Sequence, residues 1–234
     1  MLRKIIPKPF KKYIKDQRNR FNVHGKQKIF CVGLNKTGTT SLKIAMNDLD
    51  YVVGNQRKAE AMIGDWANRD FNRLIKYCKT AQFFQDSPFS KPFTYQIIDQ
   101  AYPNSLFILT IRDNAEQWYN SLTKFHAKKW GLNGRIPTKD DLLEAVYLEK
   151  GRPWYSNRLV FDTPDDDPYQ KEALIAYYNR HNESVTEYFR FKPNQLLILN
   201  VSQKGAYHTL CSFINKQPLY DTFPWKNKTV EVNS

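Results

Sequence analysis

The sequence predicts an α/β fold: a three-layer α/β/α arrangement around a central parallel sheet of about five strands. Three observations carry that expectation. Ile29–Val32, Leu106–Ile111 and Leu196–Val201 are apolar without alternation, the pattern of strands buried on both faces. Between them lie stretches with apolar residues at helical spacing, as parallel strands require of their crossovers. The first run also opens through Gly33 into a loop and then a helix, the start of a βαβ unit.

Taken in order, the first strand leads into Asn35-Lys36-Thr37-Gly38-Thr39-Thr40, and Ser41, Leu42, Ile44, Ala45, Met46 and Leu49 follow at helical spacing. The start of such a helix presents unpaired amides and the positive end of its dipole, a seat for phosphate or sulfate. Gly33 and Gly38 have the separation of a Walker A loop, but Thr39 stands where that motif has its lysine, and the lysine here is Lys36. Tyr51–Val53 reads as a second strand, and residues 56–80 as a helix with Ala61, Met62, Trp66, Phe71, Leu74, Ile75 and Cys78 inward. Gln82–Gln85 is the next strand. It runs into Asp86-Ser87-Pro88, which places Asp86 just past a strand's carboxyl end, where open α/β sheets bind ligands; a turn or helix cap is its structural alternative.

Pro92–Ala101 reads as a helix, and the strand Leu106–Ile111 ends on Arg112-Asp113. Ala115, Trp118, Leu122 and Phe125 mark an amphipathic helix that also carries Ser121 and His126. Thr138 to Asp141 caps a helix running through Tyr147. Leu174, Tyr177, Tyr178, His181, Val185, Tyr188 and Phe189 mark a long core-facing helix in which His181 is a hydrogen-bonded core residue. After the last strand come Ser202-Gln203-Lys204-Gly205 and a helix bearing Leu210 and Cys211; Phe223-Pro224-Trp225 tacks the tail to the domain. Asp165–Asp167 lacks the glycine and terminal glutamate of a calcium loop and reads as a solvated turn.

At 234 residues, 41% hydrophobic, the chain can bury one sizeable core, and it divides into a basic arm, residues 1–27, and a single domain, residues 28–234. Residues 1–28 hold ten Lys or Arg against Asp16 alone, whereas the remainder holds 26 basic against 22 acidic residues. The charge belongs to the arm. With no helix-turn-helix, RRM or zinc-finger pattern, a nucleic-acid-binding domain is excluded. The arm sets Leu2, Ile5, Ile6, Phe10, Tyr13 and Ile14 among lysines and arginines around Pro7 and Pro9, which suits peripheral contact with an anionic membrane surface or a solvated arm. Cys31, Cys78 and Cys211 are widely spaced and odd in number, which indicates neither a disulfide framework nor a zinc site and points to a reducing, cytoplasmic setting. No signal-peptide hydrophobic region or spanning run is visible. Sequons occur at Asn35, Asn182, Asn200 and Asn227, but a glycan on Asn35 would block the anion loop, so the set reads as chance.

The order Lys36-Thr37-Gly38-Thr39-Thr40-Ser41 after a hydrophobic strand resembles the 5′-phosphosulfate loop of the sulfotransferases that use 3′-phosphoadenosine 5′-phosphosulfate (PAPS). Arg112 and Ser121 resemble the pair that holds the 3′-phosphate in that family, although nine residues separate them here, one more than is usual, and Asn120 takes the usual position. Lys204 and Gly205 resemble the loop that closes over the nucleotide. The resemblance covers residues from about 28 to 225 and implies a P-loop-NTPase-like domain with PAPS as co-substrate and no metal. It implies sulfuryl transfer to a hydroxyl or amine of an acceptor, a glycan or a small molecule. Asn35 to Ser41 would surround the 5′-phosphate with Lys36 also catalytic, and Asp86 or His126 would take the acceptor's proton. In the variable middle segment, Trp130, Arg135, Arg152, Trp154 and Tyr155 would contact the acceptor. Two other readings stand beside this one: a nucleotide kinase or NTPase with a degenerate P-loop, and a non-catalytic binding module of the same fold.

Overall fold

The computed structural model describes residues 8–224. Along the chain run α1 (Lys8–Asn22), β1 (Ile29–Cys31), α2 (Thr39–Asp48), α3 (Gln56–Glu60), α4 (Ile63–Ala67), α5 (Asn72–Cys78), β2 (Phe83–Phe84), α6 (Thr94–Ala101), β3 (Leu106–Thr110) and α7 (Ala115–Trp130). There follow α8 (Lys139–Glu144), the hairpin strands β4 (Val146–Tyr147) and β5 (Glu149–Lys150), α9 (Arg152–Val160), α10 (Lys171–Phe189), β6 (Leu196–Leu199) and α11 (Ala206–Phe213).

Four strands make an all-parallel central sheet in the order β2-β1-β3-β6. Ile29 lies beside Phe83 on one side and Leu106 on the other, and Thr110 pairs with Leu199. Because side chains alternate along a strand, both faces of the sheet are dressed. Phe30, Phe84, Phe107 and Leu109 join one core with α4, α5, α6 and the end of α10, while Ile29, Cys31, Phe83 and Ile108 join another with α2 and α11. A third cluster, around Leu34, Trp118, Leu122, Trp154, Leu174 and Tyr178, fastens α7, α9 and α10 beside the carboxyl ends of the strands. Helices thus lie on both faces, the expected three layers.

The sheet has four strands rather than about five, since Tyr51–Val53 forms only a single parallel bridge, Val53 to Phe83, before Gly54 ends it. The expected helix over 56–80 is three short ones. Arg69 adopts a left-handed conformation, and the Asp70 carboxylate accepts the Asn72 amide, a local turn that competes with helix and breaks the run while most of its core contacts are kept. Ala61 is exposed, however, and Trp66 is packed, with its indole N–H donated to the Pro92 carbonyl at 2.9 Å. The helix capped by Thr138 stops at Glu144 instead of reaching Tyr147, which lies in the hairpin. His181 is the core residue expected: its Nε2 donates to the Val32 carbonyl at 2.8 Å, and burial pushes its pKa down to about 4. Asn200 is buried and donates its amide to Asp113, an arrangement a glycan could not share.

Part of the arm forms α1, where Lys58 pairs with Asp16 at 2.7 Å and Phe21 is 84% exposed. Leu2, Ile5, Ile6 and Pro7 lie outside the described residues, as do Trp225 and Asn227; Phe223 is buried against Tyr207. Among the described residues, no helix is long and apolar enough to cross a membrane.

Candidate active site

The site forms where β1, β2 and β3 end together. After β1 the chain passes through Gly33, which no larger residue could replace: a Cβ there would lie 2.1 Å from the Thr110 hydroxyl. Thr37 is fully buried and donates its hydroxyl to the Leu34 carbonyl at 2.5 Å; Thr110 donates to Thr37 at 2.6 Å. Thr37 therefore stands in the expected anion loop, but its hydroxyl is not free for a phosphate. Its hydroxyl is spent bracing the loop to β3, because a loop wedged between two strand ends must satisfy its buried carbonyls internally.

Gly38 caps α2 with φ +98° and offers no side chain to the helix. The amides of Thr39, Thr40 and Ser41 fall in the first turn, where no intrahelical acceptor exists, and are available to an anion. Lys36, held at φ +70°, lies beside this helix start with its ammonium 3.8 Å from the centre of the Phe125 ring. Burial lowers its pKa, and the neighbouring Arg112 and Lys129 lower it further, the mark of a cation held among cations.

Arg112 follows β3 and donates Nε to the Lys36 carbonyl at 2.7 Å, while the Tyr178 hydroxyl accepts its backbone amide at 2.9 Å. No ion pair to Asp113 or Glu116 forms: Asp113 bonds Asn200 and Gln117, and Glu116 pairs with Lys171. The rest of the guanidinium is left facing the cleft that Arg112 lines.

Asp86 follows β2 in a left-handed conformation and is 8% exposed. Gln85 Nε2 donates to its Oδ2 at 3.1 Å, while Oδ1 has no partner among the described residues. Burial pushes its pKa up to about 6, against the pull of the nearby Thr39 hydroxyl, Lys91 and Lys43. His126 shares a hydrogen bond of 2.8 Å between Nδ1 and the Tyr169 hydroxyl, and burial, with Lys129 and Lys36 adding, drives its pKa down to about 3. At neutral pH its imidazole is uncharged and weakly basic.

Asn35, Lys36, Gly38, Thr39, Thr40, Ser41, Asp86, Arg112 and His126 all line one cleft of about 340 Å³. Ser121, Lys204 and Gly205 do not. Ser121 lies one turn before Phe125 on α7, and the exposed Lys204 precedes Gly205, the cap of α11; from that region it is Val201 that reaches the cleft. Of the expected acceptor contacts, Trp130 and Arg152 line the adjoining cavity, whereas Arg135 pairs with Asp141, Trp154 is buried in the core and Tyr155 is exposed. Asp165 is paired with Lys139 and Arg158, a solvated turn as read.

Sequence reasoning passed over Glu60, Lys91, Phe125, Lys129 and Tyr147, which all line the cleft. Lys91 carries the strongest signature, as burial pushes its pKa down to about 8 despite the opposing charges of Asp86 and Glu60. A lysine five residues beyond Asp86, on a segment leaving a strand end, was the available signal.

A family model described as a sulfotransferase domain matches residues 28–232, nearly the whole chain. The protein therefore belongs to the sulfotransferase-domain family, whose P-loop-like α/β fold is the architecture described above. No curated protein sequence matches the chain.

Proposed function

We propose that this protein takes a sulfuryl group from PAPS and passes it to a hydroxyl or amine of an acceptor. The observation that carries the proposal is the convergence of Lys36, the open amides of α2 and Arg112 on one cleft, with the half-satisfied Asp86 carboxyl on the same wall. The residues fit such a donor. Two cationic side chains and a helix start suit its phosphates, and about 340 Å³ falls within the roughly 300–1,000 Å³ usual for small-molecule sites.

PAPS, when bound, supplies a sulfuryl group joined to a 5′-phosphate through a bridging oxygen. Thr39, Thr40 and Ser41 hold the 5′-phosphate with their amides, and Arg112 grips the 3′-phosphate with its remaining N–H groups. Asp86 takes the proton from the acceptor as its oxygen or nitrogen bonds to sulfur; a carboxylate titrating at about 6 is a better base near neutrality than an imidazole titrating at about 3. Lys36 receives the negative charge that collects on the phosphate oxygen as the S–O bond breaks, so its contribution is greatest in the transition state.

The test is transfer of labelled sulfate from PAPS by wild type and Lys36→Ala. Wild type transfers, and the variant loses roughly 100- to 1,000-fold in kcat with an unchanged melting profile. Equal rates would remove Lys36 from the mechanism, and no transfer by wild type to any hydroxyl or amine would reject the reading.

A further inference from the structure

We propose that the acceptor is a monohydroxylated apolar molecule of about one ring, a phenol or a short alcohol, and that sugars are rejected. This rests on the sulfotransferase reading above. A second cavity opens off the donor cleft, sharing Asn35, Glu60, Lys91, His126, Trp130 and Tyr147 with it. Apart from the shared residues it is lined by the apolar Ile63, Leu122, Val160, Phe161 and Leu174, drawn from α4, α7, α9, the residue after α9, and α10. Its volume of about 160 Å³ compares with the roughly 150 Å³ of an apolar cavity that takes up benzene.

The polar groups around this pocket are mostly spent on one another. Glu60 accepts from Gln56 at 2.8 Å and from the Tyr147 hydroxyl at 2.7 Å. Arg152 donates to Glu149 and to the Glu60 carbonyl, Asn157 to the Pro168 carbonyl, and His126 and Tyr169 share their bond. Asn35, Ser87, Lys91 and Ser156 remain at the walls. A sugar brings hydroxyls all round its ring, and those set against Ile63, Leu122, Val160, Phe161 and Leu174 would lose their water without gaining a partner, a cost of about 1–3 kcal/mol for each group left unpaired. A molecule with one hydroxyl has a single group to pair: its apolar body lies against these apolar residues, and its hydroxyl lies at the seam with the cleft that Asp86 lines.

Ser156 on α9 lines the pocket, is absent from the lining of the donor cleft, and its hydroxyl makes no hydrogen bond among the described residues, so Ser156→Phe fills the pocket alone. Calorimetric titration of the full chain with 4-ethylphenol, with and without adenosine 3′,5′-bisphosphate, is the experiment. Wild type binds the phenol saturably and methyl glucoside more weakly; Ser156→Phe weakens phenol binding at least about tenfold, the scale of losing a few buried methylenes, and keeps its affinity for the bisphosphate. Ser156→Leu, a smaller change, gives an intermediate loss. Tighter binding of the glucoside, no phenol binding by wild type, or equal phenol binding by a folded variant would each overturn the proposal. Phenol binding without bisphosphate binding would sink the PAPS reading and leave the pocket standing; the reverse would sink the pocket alone.

Discussion

The anion-binding wall of the cleft is made of strand ends and the start of α2, whereas the adjoining cavity is lined by side chains that meet from α3, α4, α7, α9, α10 and the β4–β5 hairpin, of which α3, α7 and the hairpin also reach the cleft. In the donor half, Gly38 packs so closely on Val201 that a Cβ would lie 2.2 Å from its Cγ2, and Thr37 and Thr110 tie the loop to the sheet. In the acceptor half, Trp130, Tyr147 and Phe161 enclose a space whose chemistry any of several substitutions would change. Under the proposed function the contrast separates two tasks: anion binding rests on the topology, and acceptor choice would rest on packing that can vary without disturbing it.

Three substitutions break or sharpen this contrast. Asp86 lines the cleft beside Ser87, which both spaces share, and Asp86→Asn should lower kcat by roughly 100- to 10,000-fold, the range for a lost general base. Its effect on stability should have the opposite sign. The folded-state pKa of about 6 lies above the ordinary value of 3.8, so the stability it contributes is present at low pH and is lost as pH rises through about 6. At pH 8 the ionised carboxylate opposes folding, and Asp86→Asn should be more stable than wild type by roughly 3 kcal/mol in urea denaturation. The wild-type rate should rise over the same interval in which its stability falls, as expected of a site strained for function. Gly38→Ala comes next, with a loss of roughly 2–4 kcal/mol from overpacking on Val201 and a left-handed φ, read by the same denaturation. Arg112→Gln should weaken binding of adenosine 3′,5′-bisphosphate by roughly 10- to 100-fold, the value of a charged hydrogen bond, and leave 4-ethylphenol binding unchanged. An equal loss of both ligands would erase the division between the halves.

What the sequence reveals is local pattern, and what it hides is long-range packing. Ile29–Val32 and Leu106–Ile111 were legible as strands because central parallel strands are apolar on both faces; Leu196–Val201 has the same apolar run, although β6 is an edge strand with Ile198 46% exposed. Lys36, Asp86 and Arg112 were legible because residues following parallel strands stand at the ligand crevice. Tyr51–Val53 had strand composition, but three residues between a left-handed Asp50 and Gly54 leave room for one bridge. Residues 56–80 kept a helical period through two breaks because periodicity reports which side chains face the core, not whether the backbone between them turns. Glu60 and Tyr147 were invisible, since each is an isolated residue that long-range packing alone brings to the cavity; Lys91 left only its place five residues beyond Asp86 as a signal. Thr37 was placed rightly in the loop, yet only the structure shows its hydroxyl turned inward.

The most direct test of the central claim is a calorimetric titration of the wild-type chain with adenosine 3′,5′-bisphosphate, set beside ATP with magnesium. Saturable binding of the bisphosphate, tighter than that of ATP and weakened in Arg112→Gln, is the result predicted from a loop whose lysine sits at Lys36 and an arginine after β3 that lines the cleft with the rest of its guanidinium. Tight binding of magnesium–ATP with none of the bisphosphate would contradict it and identify the cleft as that of a nucleotide kinase or NTPase.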